Sequence, residues 1–336
     1  MAILIIGRKG SGKSTLLKIL SQGKGNIKPF DINIHAVPKE DDRLIHLSKV
    51  FQSKTLTPIH MDFIDFPLDA TFTKKTPQLT TYVQRSDLIL YIIPLFLEEK
   101  NPLEEIKEEE NEIILNDLEI CERLLKDRRI NIAEKTLLEK VHQYLMEEKP
   151  LSSCDLRLDE IKMLTAWNFL SLKPIFYLIN VSQDFMEKKE EIDSLKNSLY
   201  VEKKQYLVFS ASLEEEILEM DIKDKSEYLS LFGFEKTIKE RLYEIIFNYF
   251  DLITFFTGNE KEVRAWKLKK GSSVLEAAGT IHTDLAKGFI RAEVISWDKL
   301  VSAGSWKTAQ QNGLISLEKK EYIVKEGDVI FIRFHL

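Results

Sequence analysis

The string Gly7-Arg8-Lys9-Gly10-Ser11-Gly12-Lys13-Ser14-Thr15 stands directly after the apolar run Ala2 to Ile6 and directly before the helical pattern Leu16, Leu17, Ile19, Leu20. A buried strand, a glycine-rich loop and a helix in that order form a phosphate-binding loop, which commits the surrounding chain to an α/β sheet with its ligand at the strand ends. Gly7, Gly10 and Gly12 supply the dihedrals and close approach that let backbone N–H groups face an anion. A helix opening at Lys13 adds unpaired N–H groups and the positive end of its dipole. The loop therefore predicts a nucleoside triphosphate site: Gly7, Gly10, Ser11 and Gly12 wrap the polyphosphate, Lys13 reaches the outer phosphates, Ser14 holds Mg²⁺ and Thr15 contacts the inner phosphate.

A chain of 336 residues is expected to hold two or three domains. No 18-residue apolar run suggests a membrane span, and no charged leader precedes a hydrophobic segment, so a cytoplasmic protein without a membrane partner is expected. Cys121 and Cys154 are the only cysteines, too few for a disulfide framework or a Cys-rich metal site, and Cys121 falls among helical apolar positions that suit core packing. The net charge of −6 is uneven: from Leu252 to Leu336 thirteen Lys and Arg face ten Asp and Glu, which places any RNA contact in the C-terminal segment.

Met61 to Phe66, Leu88 to Ile93, Ile175 to Val181 and Gln205 to Phe209 read as buried parallel strands separated by helices, a doubly wound α/β domain. The last run leads into Ser210-Ala211-Ser212. Between Leu97 and Pro150 a crowd of glutamates, Glu98 to Glu112, is followed by Ile114, Leu118, Cys121 and Leu125, then by the polar break Asp127-Arg128-Arg129, then by Leu138, Val141 and Leu145. That pattern predicts an antiparallel pair of amphipathic helices, with the acidic run as a solvated face. After Phe250, strands are expected at Val263 to Leu268, Phe289 to Ile295, Tyr322 to Val324 and Val329 to Phe334, with a helix at Val274 to Ala278 crossing the sheet. Trp266 and Phe289 are candidates for stacking on RNA bases or, alternatively, for the core.

Over nearly its whole length the chain resembles the YchF-type, or Obg-like, ATPases. The residues that carry the resemblance are Leu252-Ile253-Thr254-Phe255-Phe256-Thr257-Gly258, Lys261 to Trp266, Ala277-Ala278-Gly279, Ile281 to Asp284 and Lys287 to Ile295, with Leu118 to Arg123, Leu172-Lys173-Pro174 and the Asn180-Val181 step. The resemblance implies a P-loop, GTPase-like nucleotide-binding domain at 1–96 and 168–250, an inserted helical coiled-coil hairpin at 97–167 and a C-terminal β-grasp (TGS) domain at 251–336. It also implies binding of ATP or ADP with Mg²⁺, with Asn180, Val181, Ser210, Ala211 and Ser212 at the nucleotide and Asp65 beside the metal. The implied partner is the ribosome or ribosomal RNA, met through the TGS domain and the helical hairpin. His282 and Asp284, far along the chain from the phosphate loop, read as turn or RNA-facing residues.

Four positions depart from the family pattern. Leu68, after Pro67, stands where the family has a Gly following the strand-end Asp; no histidine occurs in Pro94 to Leu103; the segment before Pro38 is short and lacks a switch Thr; and Asn180-Val181-Ser182-Gln183 ends in an amide where the family has an acid. Gln183 cannot offer two carboxylate acceptors, which disfavours guanine selection, while Asn180 either meets adenine's N7 and N6 edge or braces the phosphate loop. The expected activity is slow hydrolysis of ATP with Lys13 as the catalytic cation. The alternatives are a nucleotide-dependent binding module without hydrolysis, and a GTPase.

Overall fold

The apolar runs of the N-terminal half become a sheet whose central strands are covered on both faces. A computed structural model describes residues 1–23, 32–66, 71–72, 76–96, 101–186, 188–201 and 204–335. In chain order the first elements are β1 (Ala2–Gly7), α1 (Lys13–Leu20), β2 (Asn33–Pro38), α2 (Asp42–Phe51), β3 (Thr55–Thr57), β4 (His60–Asp65), α3 (Pro77–Arg85) and β5 (Leu88–Pro94). Next come α4 (Pro102–Leu125), α5 (Ile132–Met146), α6 (Leu158–Ala166), β6 (Ile175–Asn180), α7 (Gln183–Met186), α8 (Lys189–Val201), β7 (Gln205–Phe209), α9 (Ala211–Leu218), α10 (Ile222–Leu231) and α11 (Ile238–Tyr249). The chain closes with β8 (Leu252–Gly258), β9 (Glu262–Lys269), α12 (Val274–Ile281), α13 (Thr283–Lys287), β10 (Phe289–Ser296), α14 (Trp297–Ala303), α15 (Trp306–Gln311), β11 (Ser316–Glu318) and β12 (Asp328–Phe334).

These elements fall into two units, one of Met1–Val37 with Met61–Lys239 and one of Pro38–His60 with Glu240–Leu336. The first is the doubly wound domain, with strand order β2-β4-β1-β5-β6-β7 and parallel pairing of β1 with β4 and β5, β5 with β6, and β6 with β7. Ile3 to Ile6 and Leu88 to Ile93 are buried on both sides, which is why these strands read as unbroken apolar runs. The register sets Ile5 opposite Asp65 and Gly7 opposite Ile92, so three strands deliver their carboxyl ends to one edge.

Helix α4 belongs to two cores at once. Ile106 and Ile113 pack under the sheet, whereas Ile114 and Cys121 pack with Leu137, Leu138, Val141 and Leu145 of α5. Asp117, fully buried between the two, accepts the N–H groups of Leu170 (2.9 Å) and Ser171 (2.8 Å) and so ties the helix to the chain returning to β6. Asn131 and Glu134 form a capping box at the start of α5, which fixes the hairpin turn. The Cys121 thiol donates to the Leu138 carbonyl and is pushed up to about 12 by burial, in keeping with core packing. The acidic run is only in part a solvated face: Glu104 and Glu108 are exposed, but Glu105 and Glu109 are buried. Their spacing of four places them on the same side of α4 as Ile106 and Ile113.

The second unit carries a mixed sheet of order β11-β10-β12-β8-β9-β3. Antiparallel pairs β8–β9 and β10–β12 meet through parallel β8 and β12, and Val274, Ala277 and Ala278 of α12 fill one face against Phe255, Leu268, Val294 and Ile332, a β-grasp arrangement. Tyr322 to Val324 contributes only an isolated bridge, Ser273 to Ile323, and α14 and α15 occupy sequence read as connection. The larger difference is at residues 38–60, expected within the nucleotide-binding domain. β3 instead pairs in parallel with β9, Thr55 opposite Glu262 and Thr57 opposite Arg264, and α2 packs on the same sheet. A strand of three residues is too short for periodicity to announce it; only its distant partner defines it.

Phe51, at the end of α2, lies so close to Gly258 that a Cβ there would sit 2.4 Å from its ring. Gly258→Ala should therefore destabilise the second unit by about 1–3 kcal/mol. Chemical denaturation followed by tryptophan fluorescence measures this, and combining it with Phe51→Ala should recover part of the loss; a neutral Gly258→Ala would contradict the packing described.

Candidate nucleotide-binding site

The loop after β1 closes on itself before any ligand is considered. Lys13 donates from Nζ to the carbonyls of Gly7 (2.6 Å) and Arg8 (2.9 Å), and Ser11 N–H donates back to the Arg8 carbonyl (3.2 Å). Two of the ammonium's three donors thus hold it across the concave side of the loop. Gly7 has φ 147° and an added Cβ would meet the Ile92 carbonyl at 2.5 Å; Gly12 has φ 99° and its Cβ would meet Asn180 Nδ2 at 2.5 Å. Both positions need glycine for conformation and for space. Helix α1 begins after Gly12 with no side-chain cap, and its N-terminus closes the loop, the position that an anion site requires.

Asn180, at the end of β6, is the brace of this loop. Its Nδ2 donates to the Ser11 carbonyl (2.9 Å) and its Oδ1 accepts the Ala211 N–H (3.0 Å), with the side chain 2 % exposed. Both ends of the amide are engaged by protein. Val181, also buried, donates its N–H to the Phe209 carbonyl (2.9 Å), and the hydroxyls of Ser210 and Ser212 lie 3.1 Å apart at the start of α9. The expected residues Ser11, Gly12, Lys13, Asn180, Val181, Ser210, Ala211 and Ser212 are therefore brought to one edge of the sheet. Gln183 donates from Nε2 to Glu216 (3.0 Å), and Tyr228 donates to the other Glu216 oxygen, which holds that carboxyl below its usual range. A carboxylate does stand beside Gln183, contributed by α9 rather than by the Asn180 segment, and nothing in the local sequence announces it.

Ser14 and Asp65 are joined as a metal site would need. The exposed Ser14 hydroxyl donates to Asp65 Oδ2 (3.0 Å), and Asp65 Oδ1 is buried without a hydrogen-bond partner among the described residues. Burial pushes the Asp65 carboxyl up, opposed by the Ser14 hydroxyl and by the charges of Lys13 and His35. A hydroxyl at the head of α1 and an orphaned carboxylate oxygen are hard oxygen donors of the type Mg²⁺ takes, directly or through water. Thr15 is half-buried on the next position of the helix.

Sequence reading missed the contact that joins this loop to α4. Arg8 Nε donates to Glu105 Oε1 (3.1 Å), and Arg8 Nη2 lies 2.8 Å from Oε2, a two-pronged pair with Glu105 buried. Tyr91 of β5 donates to the same carboxylate (3.4 Å), Glu109 accepts the Phe72 N–H, and Glu110 takes Tyr177 (2.7 Å) and Lys204. Burial pushes the Glu105 carboxyl up and Arg8 pulls it back. The available signal was the placement of two carboxylates on an apolar helix face.

His282 and Asp284, expected as turn or RNA-facing residues, instead open a helix: His282 Nδ1 accepts the Asp284 N–H (3.2 Å) and caps α13, in whose first turn Asp284 lies. Trp266 stacks on Phe255, donates to Thr257 and carries Arg264 over its ring, and Phe289 packs on the same core, so neither presents an open stacking face. Leu68 and residues 24–31 lie outside the described residues, as do 97–100 of the segment without histidine. Among the described residues no cluster of three or more His, Cys, Asp or Glu could hold a metal, and no helix is long and apolar enough to cross a membrane.

Residues 252–335 match the family model YchF-GTPase_C, described as a protein of unknown function (DUF933). Over the whole chain, the ribosome-binding ATPase YchF of Bacillus subtilis is 30 % identical across 361 aligned positions, covering 99 % of this chain and 98 % of the relative. The protein of the same name from Pasteurella multocida is 32 % identical with 99 % and 98 % covered. Among solved structures, that of the Schizosaccharomyces pombe YchF GTPase superposes with a TM-score of 0.81 at 22 % identity, covering 99 % of this chain and 97 % of that one, and shares its fold.

If the Arg8–Glu105 pair couples the loop to α4, Arg8→Ala and Glu105→Ala should each lower stability by about 1–3 kcal/mol. Chemical denaturation of the double variant should give a loss smaller than the sum by about 0.5–3 kcal/mol. Strictly additive losses would mean that the two side chains act independently.

Proposed function

Because the chain belongs to the YchF family, we propose that it is a cytoplasmic ATPase that binds adenine nucleotide with Mg²⁺, associates with the ribosome and hydrolyses ATP slowly. The observation that carries the reading is the closed phosphate loop, with Lys13 fixed across it and Asn180 locking it to α9. Ser14 and Asp65 are the residues that would hold the metal, which when bound would neutralise phosphate charge. The loop amides and Lys13 gather the polyphosphate and balance charge on the transferring group, and Thr15 contacts the inner phosphate. Phosphoryl transfer needs positioning more than covalent help, so these groups support a basal rate. With no histidine from Pro94 to Leu103 to orient water, that rate is low.

Asn180 has both amide ends committed to protein, which supports the bracing role over base reading. Gln183 offers no carboxylate of its own, and the oxygens of Glu216 are taken by Gln183 and Tyr228, which supports adenine over guanine. The base then lies between the Asn180-Val181 and Ser210-Ala211-Ser212 segments. The β-grasp unit is read as a TGS domain, and it and the α4–α5 hairpin are the surfaces for the ribosome.

Lys13→Ala should lower the affinity for ATP with Mg²⁺ by at least about 100-fold in a calorimetric titration; unchanged affinity would remove the loop from the account. Competition between ATP and GTP should favour ATP, and a preference for GTP would make the protein a GTPase. Phosphate release with purified ribosomes should exceed that of the Lys13→Ala control. Release equal to the control would leave a nucleotide-dependent binding module without hydrolysis.

A further inference from the structure

The β-grasp sheet has α12 on one face, while its opposite face is partly open. On that face the strand register aligns Glu293 with Phe331 and with Leu317, and Arg291 with Arg333. Phe331 is 54 % exposed, an uncommon position for a large aromatic side chain on a strand. Beside it α2, α15 and the β8–β9 turn enclose a cleft of about 830 Å³, the size of sites that take small planar molecules. Phe51 and Trp306 line its wall with ring centroids 6.0 Å apart, Phe331 continues the aromatic surface outward, and Asn259 adds an amide.

The charges around this cleft are uneven in a useful way. Lys261 and Lys307 are exposed on its lining and form no ion pair among the described residues. Of the two carboxylates that line it, Glu293 is neutralised by Arg333, which leaves Glu260 alone against both lysines. Flat aromatic surface with unpaired cations at its margin is the chemistry that holds a base by its face and the flanking phosphates by charge. A basic ligand would meet the lysines, and a purely apolar one would leave them unused.

We infer that this cleft binds an unstacked base of single-stranded RNA, its ring on Trp306 and Phe331 and its flanking phosphates on Lys261 and Lys307. The site rests on the ribosome-association reading and gives it a specific place on the β-grasp unit. It includes α2, so residues from the N-terminal fifth of the chain contribute to it.

The test uses the full chain and a fluorescein-labelled RNA octamer without self-pairing, read by anisotropy. The wild type should bind, Trp306→Ala should weaken binding roughly 5- to 100-fold, and Trp306→Phe, which keeps a ring, should retain most of it. Lys261→Ala with Lys307→Ala should reduce the slope of log affinity against log salt by about 1.4. Thermal unfolding of each variant separates lost binding from lost folding. No binding by the wild type, equal binding by a folded Trp306→Ala, equal affinity for AMP alone, or tighter binding of an oligoglutamate peptide would each overturn the inference. Cosedimentation with ribosomes distinguishes the two levels: wild type and folded variants pelleting alike sinks the cleft and spares the association. Variant-sensitive octamer binding without any pelleting does the reverse.

Discussion

One buried amide holds the phosphate loop in a shape that its own sequence cannot maintain. Gly7, Gly10 and Gly12 make the loop permissive, and permissive backbone loses the most entropy when it is ordered. Asn180 supplies the constraint from a different strand, gripping the Ser11 carbonyl with one end and the Ala211 N–H with the other. Each hydrogen bond is worth about 0.5–1.5 kcal/mol net, but removal of the amide would leave two buried backbone groups unsatisfied as well. The absence of a side chain at Gly12 gives Asn180 its space, so the glycine and the asparagine form one device divided between two distant parts of the chain.

Much of this was legible because it is periodic or locally patterned. The apolar runs of β1, β5 and β6 were visible since central parallel strands are buried on both faces, β4 was visible through the alternation of Met61 to Phe66, and the α4–α5 hairpin was visible through the spacing of Ile114, Cys121, Leu138, Val141 and Leu145. Lys13 and Ser14 were legible as candidate site residues through the order of strand, loop and helix, whereas Asn180 was reached through the family resemblance. What stayed hidden depends on partners remote in sequence. Glu105 looks like any surface glutamate until Arg8 and Tyr91 are set beside it, and Glu216 acquires meaning only through Gln183 and Tyr228. Trp266 alternates correctly for a strand, but alternation does not say which face is covered.

Helix α4 shows how a short contact can act over a long distance. Its first turn holds the partner of Arg8, its middle is fixed by Asp117, and its far end is packed into the hairpin by Cys121. At about 1.5 Å of rise per residue, a helix of this length reaches some 36 Å from the phosphate loop. A change in the loop that shifts Arg8 is applied at the base of a stiff rod, whose tip moves further than its root.

The placement of β3 has a consequence for how the protein is made. This strand leaves the exit of the translating machinery early, yet β9, with which it pairs, follows roughly 200 residues later, so the pairing is of high contact order. Throughout that interval the nascent chain carries the apolar side of α2 without the sheet that is to cover it. The first unit must therefore condense around a segment that it does not keep, and the β-grasp sheet is completed only once β12 has been made.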